Sequence, residues 1–403
     1  MACHVGRDCD LGTSMAQKQR TPIAEKDLKG LKYFRLLQPL LDRLHDNATD
    51  RDRAGNRRLF FDQYAGLLLL YFFNPICTSL RSLQQAGQLA KVQKLLGCSR
   101  ASLGSLSEAS RVFDPQLLHE LIGELADQAR PVLSGKEADA LKDLAAVDGS
   151  LLPALPQMAW ALWQDDQHRA AKMHVRFSVF KAVPLDVRVT HGNASERQQF
   201  RAMLQPGSFS VFDRGYAEYQ LFQDIVDAGA SFVGRLLSNA AYRVLEERPL
   251  TPEARAAGVV RDVIVDKLGS DHHANVLKQP LRIVLVATGK TERDGTPEML
   301  ILCTDRLNLA AELVALAYRY RWAVELFFRW FKCILGCRHL LSTSRNGVTI
   351  QVYLAMIASL LISLWVGRKP SKRTLEMLQF YFAGWATEAE LQAHFDHLKP
   401  AIA

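Results

Sequence analysis

Residues 317–335, AYRYRWAVELFFRWFKCIL, carry Tyr318, Arg321, Glu325 and Lys332 in a Tyr-x2-Arg-x3-Glu-x6-Lys spacing. At about 100° per residue in an α-helix, these four side chains fall within an arc of about 60°, and Arg329 projects into the same arc. Ala317, Val324, Phe328, Phe331 and Leu335 line an adjacent flank suited to burial. A lone carboxylate among basic and phenolic groups, on a helix with one flank in the core, suits a site where the acid holds a cation while its neighbours hold phosphate. The competing reading is a surface helix in which Arg321 and Glu325 are an ordinary i,i+4 pair.

Two aspartates elsewhere fit the same chemistry. Asp148 closes the apolar run Leu144–Val147 and precedes Gly149, while Asp213 closes Ser208–Phe212 and opens Asp213-Arg214-Gly215-Tyr216. Taken singly, each has a structural explanation, because Asp-Gly is an ordinary turn dipeptide and an aspartate between strand and helix is an ordinary cap. With Glu325 they make a set of three carboxylates that repel one another unless divalent cations neutralise them. Hard carboxylate oxygens suit two Mg²⁺ or Mn²⁺ ions, one activating water or a 3′-hydroxyl and the other stabilising the leaving oxygen of a phosphodiester. Asp148, Asp213 and Glu325 are the predicted catalytic and metal-ligating residues.

The elements that must position them change character along the chain. Residues 1–30 are polar and mixed in charge, and residues 31–140 have helical periodicity with a dense apolar run at Leu67–Phe73. Within that region Val92–Ser107 reads as two short helices joined at Gly97, with Ser99 as a cap, a helix-turn-helix pattern that equally fits plain scaffold. From Asp143 the runs become short and alternating: Leu144–Val147, Met173–Ala182, Leu185–Thr190, a helix over about 195–204, Ser208–Phe212, a helix over about 217–228, then Ser231–Leu236. This β-β-β-α-β-α-β order is the one used by RNase H-like folds, where the first and fourth strands are neighbours. Asp148 and Asp213 then emerge at one sheet edge, and a returning helix can place Glu325 opposite them.

Residues 239–303 break the order with polar loops and the runs Val259–Val265, Leu281–Ala287 and Met299–Thr304, which predict a β-rich insertion. The helix carrying Glu325 begins near Leu309 and resumes the core. Val348–Trp365 packs as a further helix, and a helical tail follows Pro370. The predicted fold is mixed α+β. An all-helical N-terminal domain (31–140) precedes an RNase H-like core with a mixed five-stranded sheet and flanking helices, in two parts (141–238 and 304–366). The insertion (239–303) separates the parts, and a helical tail (367–403) closes the chain.

Composition narrows the partners. Of the 403 residues 48% are hydrophobic, enough for large cores and against wholesale disorder. The net charge is +8, and residues 311–373 alone hold ten Lys or Arg against Glu312 and Glu325, a surplus as large as that of the entire chain. Nucleic acid is the natural partner of such a strip. The seven cysteines are odd in number and form no CxxC, so no disulfide framework is implied. Cys333, Cys337 and His339 offer a thin zinc pattern, and small packing residues on a helix are the simpler reading. The N-terminus lacks a signal-peptide pattern. Val348–Trp365 is interrupted by Gln351, Tyr353, Ser359 and Ser363, so it reads as a buried core helix rather than a membrane span. A cytoplasmic, nucleoid-associated protein in a reducing compartment is expected. Asp271-His272-His273 lacks metal-ligand partner spacing and reads as loop, and Trp160, Trp163 and Trp330 read as packing residues.

The Tyr-x2-Arg-x3-Glu-x6-Lys spacing resembles the YREK signature of DDE transposases from bacterial insertion sequences. Other blocks resemble the same family: Asp148-Gly149-Ser150, Phe212-Asp213-Arg214-Gly215-Tyr216, Phe232-Val233-Gly234-Arg235-Leu236, Lys172-Met173-His174, Val183-Pro184-Leu185, and Thr304-Asp305 through to Lys332. The resemblance covers about 143–238 and 300–366. It implies a cut-and-paste transposase that cleaves double-stranded DNA at the terminal inverted repeats of its own element and joins the ends to target DNA. It further implies that Tyr318, Arg321 and Lys332 grip terminal phosphates, which suits a forked guanidinium and a mobile ammonium. Arg329 and Arg235 are additional candidate DNA contacts.

Family members commonly cut the second strand through a DNA hairpin, helped by an aromatic residue that stacks on a flipped base. Here the chain departs from the pattern, because no tryptophan occurs between Trp163 and Trp322, leaving Tyr242 as the substitute. A homodimer on two paired ends is expected, since one active site completes only one end of an excision. Two other readings compete: a different RNase H-like nuclease, such as one resolving branched DNA, and a catalytically inactive DNA-binding derivative. The YREK spacing and the large insertion argue against the first. The complete Asp148, Asp213 and Glu325 set argues against the second.

Overall fold

The computed structural model describes residues 42–45 and 58–398, apart from 75, 91, 94–99, 134, 271, 273, 292–294, 335 and 337–338. The apolar periodicity of the first third becomes helices α1 (Phe61–Phe73), α2 (Leu80–Ala86), α3 (Leu103–Val112), α4 (Gln116–Gln128) and α5 (Lys136–Leu141). All residues of α1 except Leu70 are buried, the mark of an internal helix. Ser102 caps α3 by accepting the Ser105 N–H at 3.0 Å, three residues beyond the cap expected at Ser99. The turn of the expected helix-turn-helix, with Gly97 and Ser99, lies outside the described residues, as does the segment 1–30.

The middle of the chain builds β1 (Leu144–Ala154), β2 (Arg169–Ser178), β3 (Val183–His191), α6 (Glu196–Arg201), β4 (Phe209–Phe212), a 3₁₀ turn at Arg214–Tyr216, α7 (Tyr219–Asp227) and β5 (Ser231–Arg235). The insertion adds β6 (Tyr242–Glu247), α8 (Pro252–Ala256), β7 (Val259–Leu268), β8 (Leu281–Thr291) and β9 (Pro297–Thr304). All nine strands join one sheet in the order β3-β2-β1-β4-β5-β9-β8-β7-β6. Strands β1, β4 and β5 run parallel, and the remaining pairs are antiparallel.

The sheet is therefore larger than the five strands expected. Strand β9 pairs with β5, Gly234 opposite Cys303, so the insertion continues the sheet rather than closing a separate one. Backbone N–H and C=O groups along β5 need partners, and β9 supplies them. Strand β1 is also longer than the run Leu144–Val147. It leaves β4 after Ala146 but continues along β2 to Ala154. Asp148 thus lies inside a strand, at the point where pairing with β4 has ended.

Each sheet face has its own core. Under α6 and α7 lie Val147, Phe200, Phe212, Tyr216, Phe222 and Phe232. Gly234 is small for this reason, since a Cβ there would collide with the Phe212 ring. The opposite face, with Ala146, Val175, Phe177, Val211 and Val233, is covered by helices from both ends of the chain.

Those from the C-terminal side are α9 (Ala311–Tyr320), α10 (Trp322–Arg329), a π turn (Trp330–Ile334), α11 (Arg345–Val366), α12 (Lys372–Phe382) and α13 (Glu388–Leu398). Helix α11 is long and apolar enough to cross a membrane, yet 89% of its apolar window is buried inside the protein, against α1, α3, α4 and β3. Its polar residues have partners, Ser359 meeting Trp330 Nε1 at 3.1 Å and Gln351 Nε2 donating to the His339 carbonyl at 2.7 Å. Its N-terminus is fastened to α3, where Asn346 Nδ2 donates to the carbonyls of Ser110 (3.0 Å) and Phe113 (2.8 Å). The helices before the sheet and those after it therefore share a single core.

Candidate active site

Strand register sets the two aspartates side by side. Ala146 lies opposite Val211 across β1 and β4, and Val211 lies opposite Val233 across β4 and β5. Two residues further along each strand come Asp148, Asp213 and Arg235, level with one another where the parallel ladder stops. Side chains two apart share a face, and Ala146, Val211 and Val233 belong to the helix-covered core. Asp148, Asp213 and Arg235 therefore start on that face. Helix α10, which carries Glu325, packs across β1.

Asp148 is half-buried and accepts the Gly149 N–H at 2.7 Å. Asp213 accepts the Gly215 N–H at 2.8 Å and so caps the 3₁₀ turn that follows it. Burial pushes the Asp148 carboxyl up to about 7, the charges of Asp213 and Glu196 push the same way, and the Gly149 N–H and Arg321 oppose them. A carboxylate so placed is short of positive charge.

Glu325 is paired with Arg321, Nη2 to Oε1 at 2.7 Å. The Arg321 guanidinium also sits 5.9 Å from the centre of the Tyr318 ring, which is itself buried. Burial works against the charge of Arg321, but Glu325, Tyr318 and Asp148 together outweigh it and hold the guanidinium more firmly protonated than usual. Arg321 is thus the electrostatic link between Asp148 and Glu325.

The signature does not lie on one ideal helix. At Arg321 the chain tightens, its N–H reaching the Tyr318 carbonyl at 3.1 Å and its carbonyl accepting the Val324 N–H at 3.3 Å. It then loosens into the π turn at Trp330–Ile334. Both changes shift the angular step away from 100°, so the arc expected for Lys332 is replaced by a specific contact. Lys332 Nζ donates to the Leu151 carbonyl at 3.4 Å, on the same strand as Asp148. Arg235 faces Glu298 of β9 at 3.9 Å, and Arg329 is exposed with its charge bearing on Lys369. Neither is among the leading charges that shift Asp148.

Asp148 and Asp213 fit a hard divalent cation, being oxygen donors set level with each other, with burial of Asp148 only partly offset by Arg321. Glu325 is engaged by Arg321 instead, and among the described residues no group of three His, Cys, Asp or Glu is gathered to hold a metal ion. A third carboxylate ligand requires Glu325 to leave Arg321. The Cys333 side chain, Cys337, Asp271 and His273 lie outside the described residues.

Glu196 escaped the sequence reading. It opens α6, capped by Ser195, and its carboxylate lies against Gly149, where a Cβ would come within 2.7 Å of Oε1. Lys172 of β2 pairs with it at 3.2 Å. Tyr216, fully buried, is held well above the usual phenol range, first by burial and then by Glu196, Asp148 and Asp213. The one signal in the sequence was Gly149, a missing side chain beside a candidate ligand. Tyr242, the expected substitute for a stacking tryptophan, packs against the α7-side core.

Residues 139–361 match the family described as the transposase DDE domain. A Sinorhizobium fredii protein assigned as a transposase, y4zB, is 30% identical over 262 residues, 64% of this chain and 68% of its own length. A Geobacillus stearothermophilus protein assigned as the transposase of insertion sequence element IS5377 is 23% identical, over 77% of this chain and 79% of its own. A Synechocystis protein assigned to element IS4SA is 19% identical, over 68% and 74%. The cryo-EM structure of the piggyBac transposase synaptic complex with hairpin DNA aligns at a TM-score of 0.40 and 11% identity, covering 85% of this chain and 76% of that one. The family match spans more than half of the sequence and takes in Asp148, Asp213 and Glu325, and the chain belongs to the DDE-domain transposases.

Proposed function

We propose that this DNA transposase acts at the terminal inverted repeats of a bacterial insertion sequence of the YREK class, cleaving double-stranded DNA there and joining the ends to target DNA. The observation that carries the reading is the register that levels Asp148 with Asp213 beneath the helix bearing Arg321 and Glu325. The strand order β3-β2-β1-β4-β5, with α6 and α7 on one face and α9 on the other, supports an RNase H-like core.

The family implies dependence on a divalent metal. Two Mg²⁺ or Mn²⁺ ions, when bound, would activate the attacking hydroxyl and stabilise the leaving oxygen. Asp148 and Asp213 hold adjacent ligand positions. Arg321 exchanges Glu325 for a DNA phosphate, which suits its fork of donors, and releases Glu325 to complete the ligand set. Tyr318 backs the guanidinium. Lys332, held near Leu151, places a second positive charge along β1 for the same phosphate backbone. A homodimer on paired element ends, working in the cytoplasm at the nucleoid, completes the reading.

The test uses a duplex made from the DNA flanking the gene, incubated with the protein and Mg²⁺. The expected result is cleavage at the element boundary that leaves a 3′-hydroxyl. Asp148→Asn, Asp213→Asn and Glu325→Gln should each abolish cleavage while DNA binding persists. Full cleavage by any one of these variants removes that residue from the site. Flanks without inverted repeats that the protein neither binds nor cuts would refute the reading as a whole.

A further inference from the structure

Strand β1 is approached from both faces at Asp148, and only one approach is explained by the reading above. From the α10 side come Arg321 and Glu325. From the other come Glu196 and Lys172. Val147 belongs to the core beneath α6, so Gly149, two residues on, faces α6 as well. The Glu196 carboxylate fills the space left by the missing side chain, with Oε1, Cδ and Cγ at 2.7, 3.2 and 3.4 Å from where a Cβ would sit. Its frame is rigid. Ser195 caps α6, and Lys172 Nζ binds both Glu196 Oε1 at 3.2 Å and the Ala194 carbonyl at 3.5 Å. Lys172 is itself fixed on β2 opposite Leu151 of β1.

We propose that Glu196 is a positioning residue for the transposition reaction, a fixed negative charge behind Asp148 that strengthens cation capture by the Asp148–Asp213 pair and is moderated by Lys172. The inference rests on Asp148 and Asp213 being metal ligands. Glu196 itself does not ligate; it acts through the field it adds at the ligand pair. A divalent cation within several ångströms of an added negative charge gains on the order of tenfold in affinity at a solvent-accessible site. Glu196 and Lys172 act with opposite sign, so removing one must do the reverse of removing the other. A pair that merely staples α6 to the sheet has no such signature.

The experiment measures Mn²⁺ binding to the DNA-free, full-length protein by electron paramagnetic resonance, together with the Mg²⁺ dependence of cleavage. Glu196→Gln should weaken Mn²⁺ binding on the order of tenfold and raise the Mg²⁺ requirement in step. Its maximal rate at saturating Mg²⁺ should fall far less than that of Asp148→Asn. Lys172→Met should tighten Mn²⁺ binding, an outcome that misfolding cannot produce. Gly149→Ala keeps every charge but pushes the carboxylate away, and should weaken binding less than Glu196→Gln does. The inference is overturned if Glu196→Gln and Lys172→Met both bind Mn²⁺ as the parent does, or if both weaken it. Asp148→Asn separates the two readings. Loss of Mn²⁺ in Asp148→Asn with parent-like Glu196→Gln sinks this inference alone, whereas parent-like binding by Asp148→Asn sinks the metal-site reading with it.

Discussion

Removing the charge of Asp148 should stabilise the DNA-free protein while abolishing its catalysis. Its carboxyl, ordinarily at 3.8, is lifted to about 7, by burial foremost and by Asp213 and Glu196 in addition. An acid raised in the folded state binds its proton more tightly there than in the unfolded chain. Its effect on stability is therefore nil below the ordinary value, grows increasingly unfavourable as pH rises towards 7, and is level above. At about 1.36 kcal/mol for each factor of ten, the cost is about 4 kcal/mol at pH 8 and about 2 kcal/mol at pH 5. Solvent reaching this half-buried group makes both figures ceilings. Asp148→Asn keeps the shape of the side chain and removes the titration. In urea unfolding with a chelator present, the variant should exceed the parent by up to about 4 kcal/mol at pH 8, and that margin should be roughly halved at pH 5. Adding Mg²⁺ at pH 8 should then stabilise the parent and leave the variant unmoved. Equal stabilities at pH 8, or a margin that widens in acid, would show that burial does not hold the Asp148 carboxyl up.

Other substitutions probe the phosphate grip and the frame. Arg321→Ala and Lys332→Ala should each weaken binding to element ends and reduce the slope of log affinity against log salt by about 1, measured by fluorescence anisotropy; parent slopes would make this helix an ordinary charged surface. Arg282 and Asp262 form a buried pair with contacts of 2.8 and 2.7 Å, so Arg282→Met should lower unfolding stability by about 3–5 kcal/mol, and Asp262→Asn in the same chain should recover part of it. Gly234→Ala, which drives a methyl into Phe212, should cost about 1–3 kcal/mol in the same assay, and a neutral result would mean that the ring has room to move.

Much of the placement of the candidate site's residues was legible because their signals are local. Asp148 and Asp213 follow apolar runs, and the strands around them carry an alternation that identifies them without tertiary information. The arc of Tyr318, Arg321, Glu325 and Lys332 was legible as a set but not in shape, because an ideal 100° step does not foresee the tightening at Arg321 or the π turn at Trp330. The length of β1 was hidden for a related reason. Periodicity reads Asp148-Gly149 as a stop, whereas the backbone continues because β2 supplies hydrogen-bond partners as far as Ala154. Joining of the insertion to the core sheet depends on which free edge its strands meet, and β5 lies 62 residues or more from β9 with nothing in either sequence to name the other. Glu196 left only the indirect trace of Gly149 beside Asp148, since a glutamate opening a capped helix is expected whether or not it faces an aspartate.

Helix α11 has a consequence for how the protein is made. The Ser110 and Ser342 hydroxyls that fasten α3 to the start of α11, 3.0 Å apart, are separated by 232 residues. At about 5–20 residues per second, a ribosome takes on the order of 10–50 s to bridge that interval. Throughout it, the almost wholly apolar α1 and the inner faces of α3 and α4 have been synthesised but lack the helix they bury against. The nascent chain must wait with sticky surface exposed, and a chain that ends before α11 lacks the helix these surfaces bury against. Glu325 falls within the same interval, so the helix that carries it is made before α11 can close the core. A chain released early therefore carries exposed apolar surface of the kind that favours aggregation.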